Sequence, residues 1–264
     1  MRRLFTRRAA PDLSREGPDL PVHEGDLWGP DADEGPALRP FASEFPALPP
    51  TASMVGEAAT LTDSAFQRAH EQEQLGRRLD AIMTLRQLLT DDPAHVVGRI
   101  RLAHLLETTG DPGAALQLLS DGLSRSPDNR QLRGERGAHL CRHGRHAEAE
   151  ADLLAAIDGQ APSAEATLYL GLSLLRRGRH AEAVPYLEQA AGINPTDGLV
   201  ALHLGEARFQ AGDYDGALAA LTTAAQLTPA DPRPFALAGR LLDRLGRTEE
   251  AMEMHRQARL AGRA

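Results

Sequence analysis

Residues 164–197 read AEATLYLGLSLLRRGRHAEAVPYLEQAAGINPTD. Two amphipathic helices and one turn account for the stretch. Ala166, Leu168, Leu170, Leu172, Leu174 and Leu175 crowd the first helix, and Gly178 then supplies a residue that takes the left-handed conformation ending it. Ala181, Ala183, Val184, Leu187 and Ala190 recur at helical spacing on the second. Asn194 and Pro195 stop that helix and turn the chain. Gly171 and Ala183 are small enough to let the two backbones approach, with Leu187 filling the space beside them. Pro185 falls inside the second helix and removes one ladder bond, which predicts a slight kink.

The same unit recurs along the chain. Gly stands at 76, 110, 144, 178, 212 and 246, and Ala at 81, 115, 149, 183, 217 and 251, always 34 residues apart. Pro marks the close of four units, at 93, 127, 195 and 229, while position 161 holds Ala with Pro162 beside it and position 263 holds Arg. A fixed period of this length is the signature of stacked supersecondary units, each too small to bury its apolar face alone. The predicted fold is therefore all-α: a solenoid over residues 62–264 of six helix-turn-helix repeats, at 62–95, 96–129, 130–163, 164–197, 198–231 and 232–264.

These landmarks resemble the tetratricopeptide repeat family, whose pattern is W-x2-L-G-x2-Y, then A-x3-F, then P. In 164–197, Leu170-Gly171, Ala183 and Pro195 match, with Thr167, Leu174 and Leu187 in place of the aromatics. In 198–231, Leu204-Gly205, Ala217 and Pro229 match and Arg208 departs. In 232–264, Phe235, Gly239 and Ala251 match, whereas His255 and Arg263 depart. In 130–163, Gly137 and Ala149 match, but Arg136 puts a charge where Leu is usual. The first two repeats keep Ala81 with Pro93 and Ala115 with Pro127, and replace the first-helix Gly with Ala69 and Ala103. The resemblance implies a right-handed superhelix whose concave groove is lined by the first helix of each repeat. It says little about function, because such repeats serve unrelated processes.

Composition removes several function classes. All 29 basic residues are Arg, and the chain has no Lys. A Walker-type phosphate loop, a protein-kinase strand lysine and Schiff-base chemistry all require that amine. The single Cys141 rules out an intramolecular disulfide and a Cys-built zinc site. A net charge of −8 argues against a general grip on nucleic acid. No apolar run approaches the length of a membrane span, and the opening MRRLFTRR is followed by Pro11, Asp12 and Glu16 rather than an apolar core, so a cytoplasmic location is expected. Arg2, Arg3, Arg7 and Arg8 with Leu4 and Phe5 could touch an anionic surface, but the stretch is too short to anchor there, and membrane contact is not expected.

Residues 1–61 differ from the rest. They hold 9 of the 18 Pro, with 6 Arg against 10 acidic residues, and their apolar residues show no period. Such a segment cannot bury enough apolar surface to offset the entropy of ordering, which predicts a disordered Pro-rich arm. Its apolar islands, Trp28 and the group Phe41, Phe45 and Leu48, form a candidate docking motif.

One cluster suggests chemistry. His139 and His143 lie four apart on a helix, a spacing that can hold a metal, with Cys141 and His146 nearby. His146, however, sits in a slot that returns as His180 and Tyr214, which is a structural position of the repeat. No hydrolase motif is present. The reading assigns no catalytic residue, metal or cofactor, and keeps a metal-dependent enzyme or sensor on His139 and His143 as an alternative. The main expectation is a non-catalytic scaffold or assembly factor holding a peptide segment of a partner protein in the groove. Leu168, Leu172, Leu175, Leu202 and Phe209 would give apolar contact; Arg142, Arg176, Arg240 and Arg244 would grip acidic groups; His70 and His104 occupy matching places in successive first helices. The family's carboxylate clamp of Lys and Asn has no counterpart here, since Asn occurs only at 129 and 194, both in turns. Two alternatives concern the arm, which would occupy the protein's own groove or wrap a large assembly; self-association through the end repeats is also open.

Overall fold

A computed structural model of the chain describes residues 57–158 and 163–262. The arm residues Trp28, Phe41, Phe45 and Leu48 lie outside the described residues. Those described form twelve α-helices and no strand: α1 (Glu57–Gln74), α2 (Arg78–Asp91), α3 (Val96–Thr108), α4 (Pro112–Arg125), α5 (Arg130–Arg142), α6 (His146–Ile157), α7 (Ala164–Arg176), α8 (His180–Ile193), α9 (Gly198–Gln210), α10 (Tyr214–Leu227), α11 (Pro232–Arg244) and α12 (Thr248–Ala261). Odd-numbered helices are the first of each pair and even-numbered helices the second. The helices α3, α5, α7, α9 and α11 begin where the period places them; α1 begins at Glu57, ahead of the compositional boundary at Thr62.

The periodic residues build each pair. Gly76, Gly110, Gly144, Gly178, Gly212 and Gly246 all have positive φ, between 71° and 92°. That conformation is strained for any side chain, and it lets the chain reverse while the freed amides bond back: Gly178 N donates to Leu175 O at 3.1 Å and Arg179 N to Leu174 O at 2.9 Å. The six periodic alanines, Ala81 through Ala251, are 0% exposed. Leu85, Leu119, Leu153, Leu187 and Leu221, one turn further on, are fully buried. These leucines press on the first helix: a Cβ added at Gly171 would stand 2.6 Å from Leu187 Cγ, and at Gly137 the same distance from Leu153 Cγ. The helix α8 runs unbroken through Pro185.

Two buried or partly buried arginines have local explanations. Arg136, standing where Leu is usual, donates bidentately to the buried Asp152 on α6 at 2.6 and 2.9 Å. Buried Arg99 donates to the carbonyls of Leu118 and Pro93 at 3.1 and 2.7 Å, and its stem fills the space left by Gly122. Five of the second helices, α4 to α12, begin in one of two ways. Asp111 and Asp213 cap α4 and α10 by accepting from the amides of Ala114 and Gly216, both at 3.0 Å. Arg145, Arg179 and Arg247 make no such cap and instead pair with Glu148, Glu182 and Glu250 three residues on. In these five the acid is thus either the cap itself or the partner of an Arg in its place.

Pairs stack through the second helix of one and the first helix of the next. First helices also touch each other across repeats, α3 with α5, α5 with α7, α7 with α9 and α9 with α11, while no two second helices make comparable contact. The first helices therefore carry the inner face of the stack.

Candidate functional site

The inner face is laced by polar contacts between successive first helices. Arg101 on α3 donates to Glu73 on α1 at 2.6 Å. His104 Nε2 lies 2.9 Å from Glu135 Oε2, joining α3 to α5. Arg142 on α5 donates to both oxygens of Glu107 on α3, at 2.9 and 2.7 Å, and to the Tyr169 hydroxyl on α7 at 3.3 Å, with its guanidinium 5.7 Å from the Tyr169 ring centroid. Arg176 on α7 approaches Glu206 on α9 at 3.9 Å, and Glu206 meets His203 at 3.0 Å. Removing one partner of a buried, hydrogen-bonded charge pair costs about 2–5 kcal/mol, so the Arg142–Glu107 pair in particular fixes how neighbouring repeats sit.

Electrostatics along this face are uneven. Burial opposes ionisation of Glu107, and hydrogen bonds from His139 and Arg142 outweigh it, holding the carboxyl well below the ordinary carboxylate range. Glu165 in the first turn of α7 goes the other way. Burial and the charge of Glu135, with Asp197 adding to them, outweigh Arg142 and push its carboxyl up to about 8. A helix N-terminus favours an anion, so here the surroundings win over the dipole. Cys141 is buried, its thiol pushed up to about 12 by that burial, and its Sγ faces the Tyr169 carbonyl at 3.6 Å. It is a protonated packing residue rather than a nucleophile.

The structure redistributes the groove residues expected from sequence. Leu168, Leu172, Leu175 and Leu202 are 3–8% exposed. They belong to the core, because α7 is enclosed by α5, α6, α8 and α9, and an exposed apolar strip along α7 does not exist. Arg142 is also corrected: Glu107 and Tyr169 take its donors, so it holds repeats together instead of gripping a partner's acid. His104 is likewise engaged with Glu135. His70 is exposed and bonds with Gln74 on its own helix, at 3.1 Å. What the inner face does present is Arg176, Arg240 and Arg244, all exposed, and half-buried Phe209. Phe209 and Tyr214 place their rings 6.0 Å apart, and the Arg244 guanidinium lies 5.5 Å from the Tyr214 centroid, giving a mixed aromatic and cationic patch at the α9, α10 and α11 end.

The histidine cluster changes membership. His139 and His143 do come together, ring centroids 4.5 Å apart, but with Glu107 rather than with Cys141 or His146. Glu107 comes from the first helix of the preceding repeat, and the spacing of the two histidines gave no hint of it. The available signal was an acid one repeat before an Arg-His pair. Also unforeseen is an exposed apolar stripe, Leu75, Leu79 and Met83, each at least 70% exposed at the α1–α2 turn and on α2. The i, i+4 spacing of Leu79 and Met83 was its only trace in the sequence. Among the described residues no helix is long and apolar enough to cross a membrane.

Comparison with known proteins agrees with this architecture. Family models described as tetratricopeptide repeat match residues 74–134, 174–237 and 208–264, and a second model of the same description matches 135–198. No curated protein matches the chain. Among solved structures, PilF of Pseudomonas aeruginosa is 23% identical, covering 75% of this chain and 90% of its own, with a TM-score of 0.66. PilW, described as a widely conserved type IV pilus biogenesis factor, is 21% identical over 75% of this chain and 91% of its own, with a TM-score of 0.65. YrrB, described as a repeat protein of this kind with an unusual peptide-binding site, is 20% identical over 67% of this chain and 92% of its own, at 0.60. At these identities the likeness is one of fold.

Proposed function

The chain belongs to the tetratricopeptide repeat family, and we propose that it is a non-catalytic scaffold or assembly factor that holds a segment of a partner protein against its inner face. The observation that carries this reading is the division of labour along the first helices. Arg142, His104 and the leucines of α7 are engaged between repeats, while Arg244 is exposed beside half-buried Phe209 and Tyr214 on α9, α10 and α11, and Arg176 and Arg240 also keep exposed surface. Guanidinium groups beside aromatic rings suit an extended peptide bearing acidic and apolar side chains, since Arg binds carboxylates bidentately and aromatic rings supply contact area with little loss of side-chain freedom. The relatives described as a pilus biogenesis factor and as having a peptide-binding site are compatible with an assembly role.

A second reading gives the N-terminal arm the leading part. The exposed stripe Leu75, Leu79 and Met83 favours it, lying on the repeat that the arm joins. If the arm competes for the inner face, deleting residues 1–56 tightens partner binding; if it wraps an assembly, deletion weakens binding.

The test is capture from the native cell extract by the intact protein and by an Arg176→Glu, Arg244→Glu variant with unchanged helical circular dichroism. Both side chains are exposed, and the unchanged circular dichroism guards against disturbance of the Arg176–Glu206 contact. A partner captured by the intact protein and lost by the variant supports the inner face. Equal capture by both removes this reading.

A further inference from the structure

We propose that the chain carries a zinc site between its second and third repeats, formed by Glu107 on α3 with His139 and His143 on α5. The ligand atoms of the three side chains all lie within 4.8 Å of one another. Both histidines already reach the carboxylate, one at each of its oxygens, at separations close to those between donors on a bound ion. His143 Nε2 is 3.1 Å from Glu107 Oε1, and His139 Nδ1 is 3.5 Å from Glu107 Oε2. Zinc bonds to nitrogen and oxygen at about 2.0–2.2 Å, which sets donor atoms of a tetrahedral site about 3.3 Å apart. The two imidazoles lie side by side, ring centroids 4.5 Å apart.

Each ligand is placed by a different feature of the fold. His139 lies in the last turn of α5 and His143, four residues on, caps its C-terminus, and their rings stand side by side. His139 is buried and His143 is at the helix end and exposed, which gives the site one fixed wall and one open one. Glu107 arrives from the preceding repeat, and Arg142 holds its carboxylate by both oxygens. Each carboxylate oxygen has a second lone pair, so an ion can be ligated while the arginine stays. That arrangement orients the ligand in the manner of an outer-shell partner, although the positive charge of Arg142 weakens affinity for a cation. Two imidazoles and a carboxylate form a donor set that suits zinc and leaves a fourth position for water or a group from a partner. Because α3 and α5 belong to neighbouring repeats, a bound ion pins one repeat to the next and stabilises the stack by mass action. The proposal is independent of the peptide-binding reading: either can fail alone.

Equilibrium dialysis of the full chain against zinc chloride, with metal content measured afterwards, tests the site. One zinc per chain is expected, with a rise in melting temperature. His143→Ala and Glu107→Gln are each expected to weaken binding at least about tenfold, whereas His70→Ala, an exposed histidine elsewhere, leaves it unchanged. His143 is exposed and its removal leaves the core intact. In the unmutated protein, zinc is also expected to shift the imidazole resonances of His139 and His143 before those of the other histidines. No retained zinc, retention equal in His143→Ala, or resonance shifts confined to other histidines would overturn the proposal.

Discussion

Glu165 shows how far surroundings can move one side chain from its solution behaviour. Its carboxyl titrates near 8 in the folded chain, because burial and the nearby Glu135 disfavour the anion, against an ordinary value of 4.5. Below about pH 4.5 the group is protonated whether the chain is folded or unfolded, and it has no effect on stability. As pH rises from 4.5 towards 8, the unfolded chain has released this proton and the folded chain still holds it. Stability from this group therefore falls across that window. Gln mimics the protonated acid and escapes the penalty. Urea unfolding of Glu165→Gln and the parent should give similar stabilities at pH 5 and a clear advantage to the variant at pH 8. An advantage of the same size at both pH values would show that Glu165 ionises normally. Nothing in the run Ser163-Ala164-Glu165-Ala166 announces this behaviour, since burial within the stack causes most of it and the acid that adds to it, Glu135, lies in the preceding repeat.

At the scale of the helix pair, small residues decide the distance between backbones. Leu187 is fully buried against Gly171, and a Cβ on Gly171 would meet its Cγ and Cδ2 at 2.6 and 2.7 Å. Gly192, near the end of α8, has open space in every direction that a Cβ would take. The same substitution therefore has opposite signs at the two sites. Gly171→Ala should lose about 1–3 kcal/mol through overpacking, offset in part by better helix propensity. Gly192→Ala should gain about 0.5–1 kcal/mol. Thermal or urea unfolding of the two variants reads this directly; a stabilised Gly171→Ala would refute the close approach. This level of structure was legible in the sequence. The glycine and alanine series repeat because each unit solves the same two problems, reversing the chain and packing two helices closely. The leucines of α7 were misplaced for a related reason. Periodicity within one repeat reports which residues face the partner helix, but not that α5 and α9 close over the remaining side.

Across the whole set of repeats, contacts run only between neighbours, so the stack holds together through each junction in turn. On the inner face those junctions are polar: Arg101 with Glu73, Arg142 with Glu107, His104 with Glu135, Arg176 with Glu206. Their sequence separations are near one repeat, yet the period alone does not say which arginine is held tightly by its acid and which keeps much of its surface in solvent. That is why Arg142 and Arg176 looked alike in the sequence and differ in the fold, the first engaged on three donors and the second exposed. The inner face as the place of partner contact is the central claim. It is tested most directly by placing a photo-crosslinking amino acid at position 176, on the first-helix face, or at exposed position 189, on the second helix of the same repeat. Illumination in the native extract should give a discrete crosslinked partner from 176 and none from 189. A partner crosslinked from 189 and not from 176 would contradict the account and move the binding surface to the second helices.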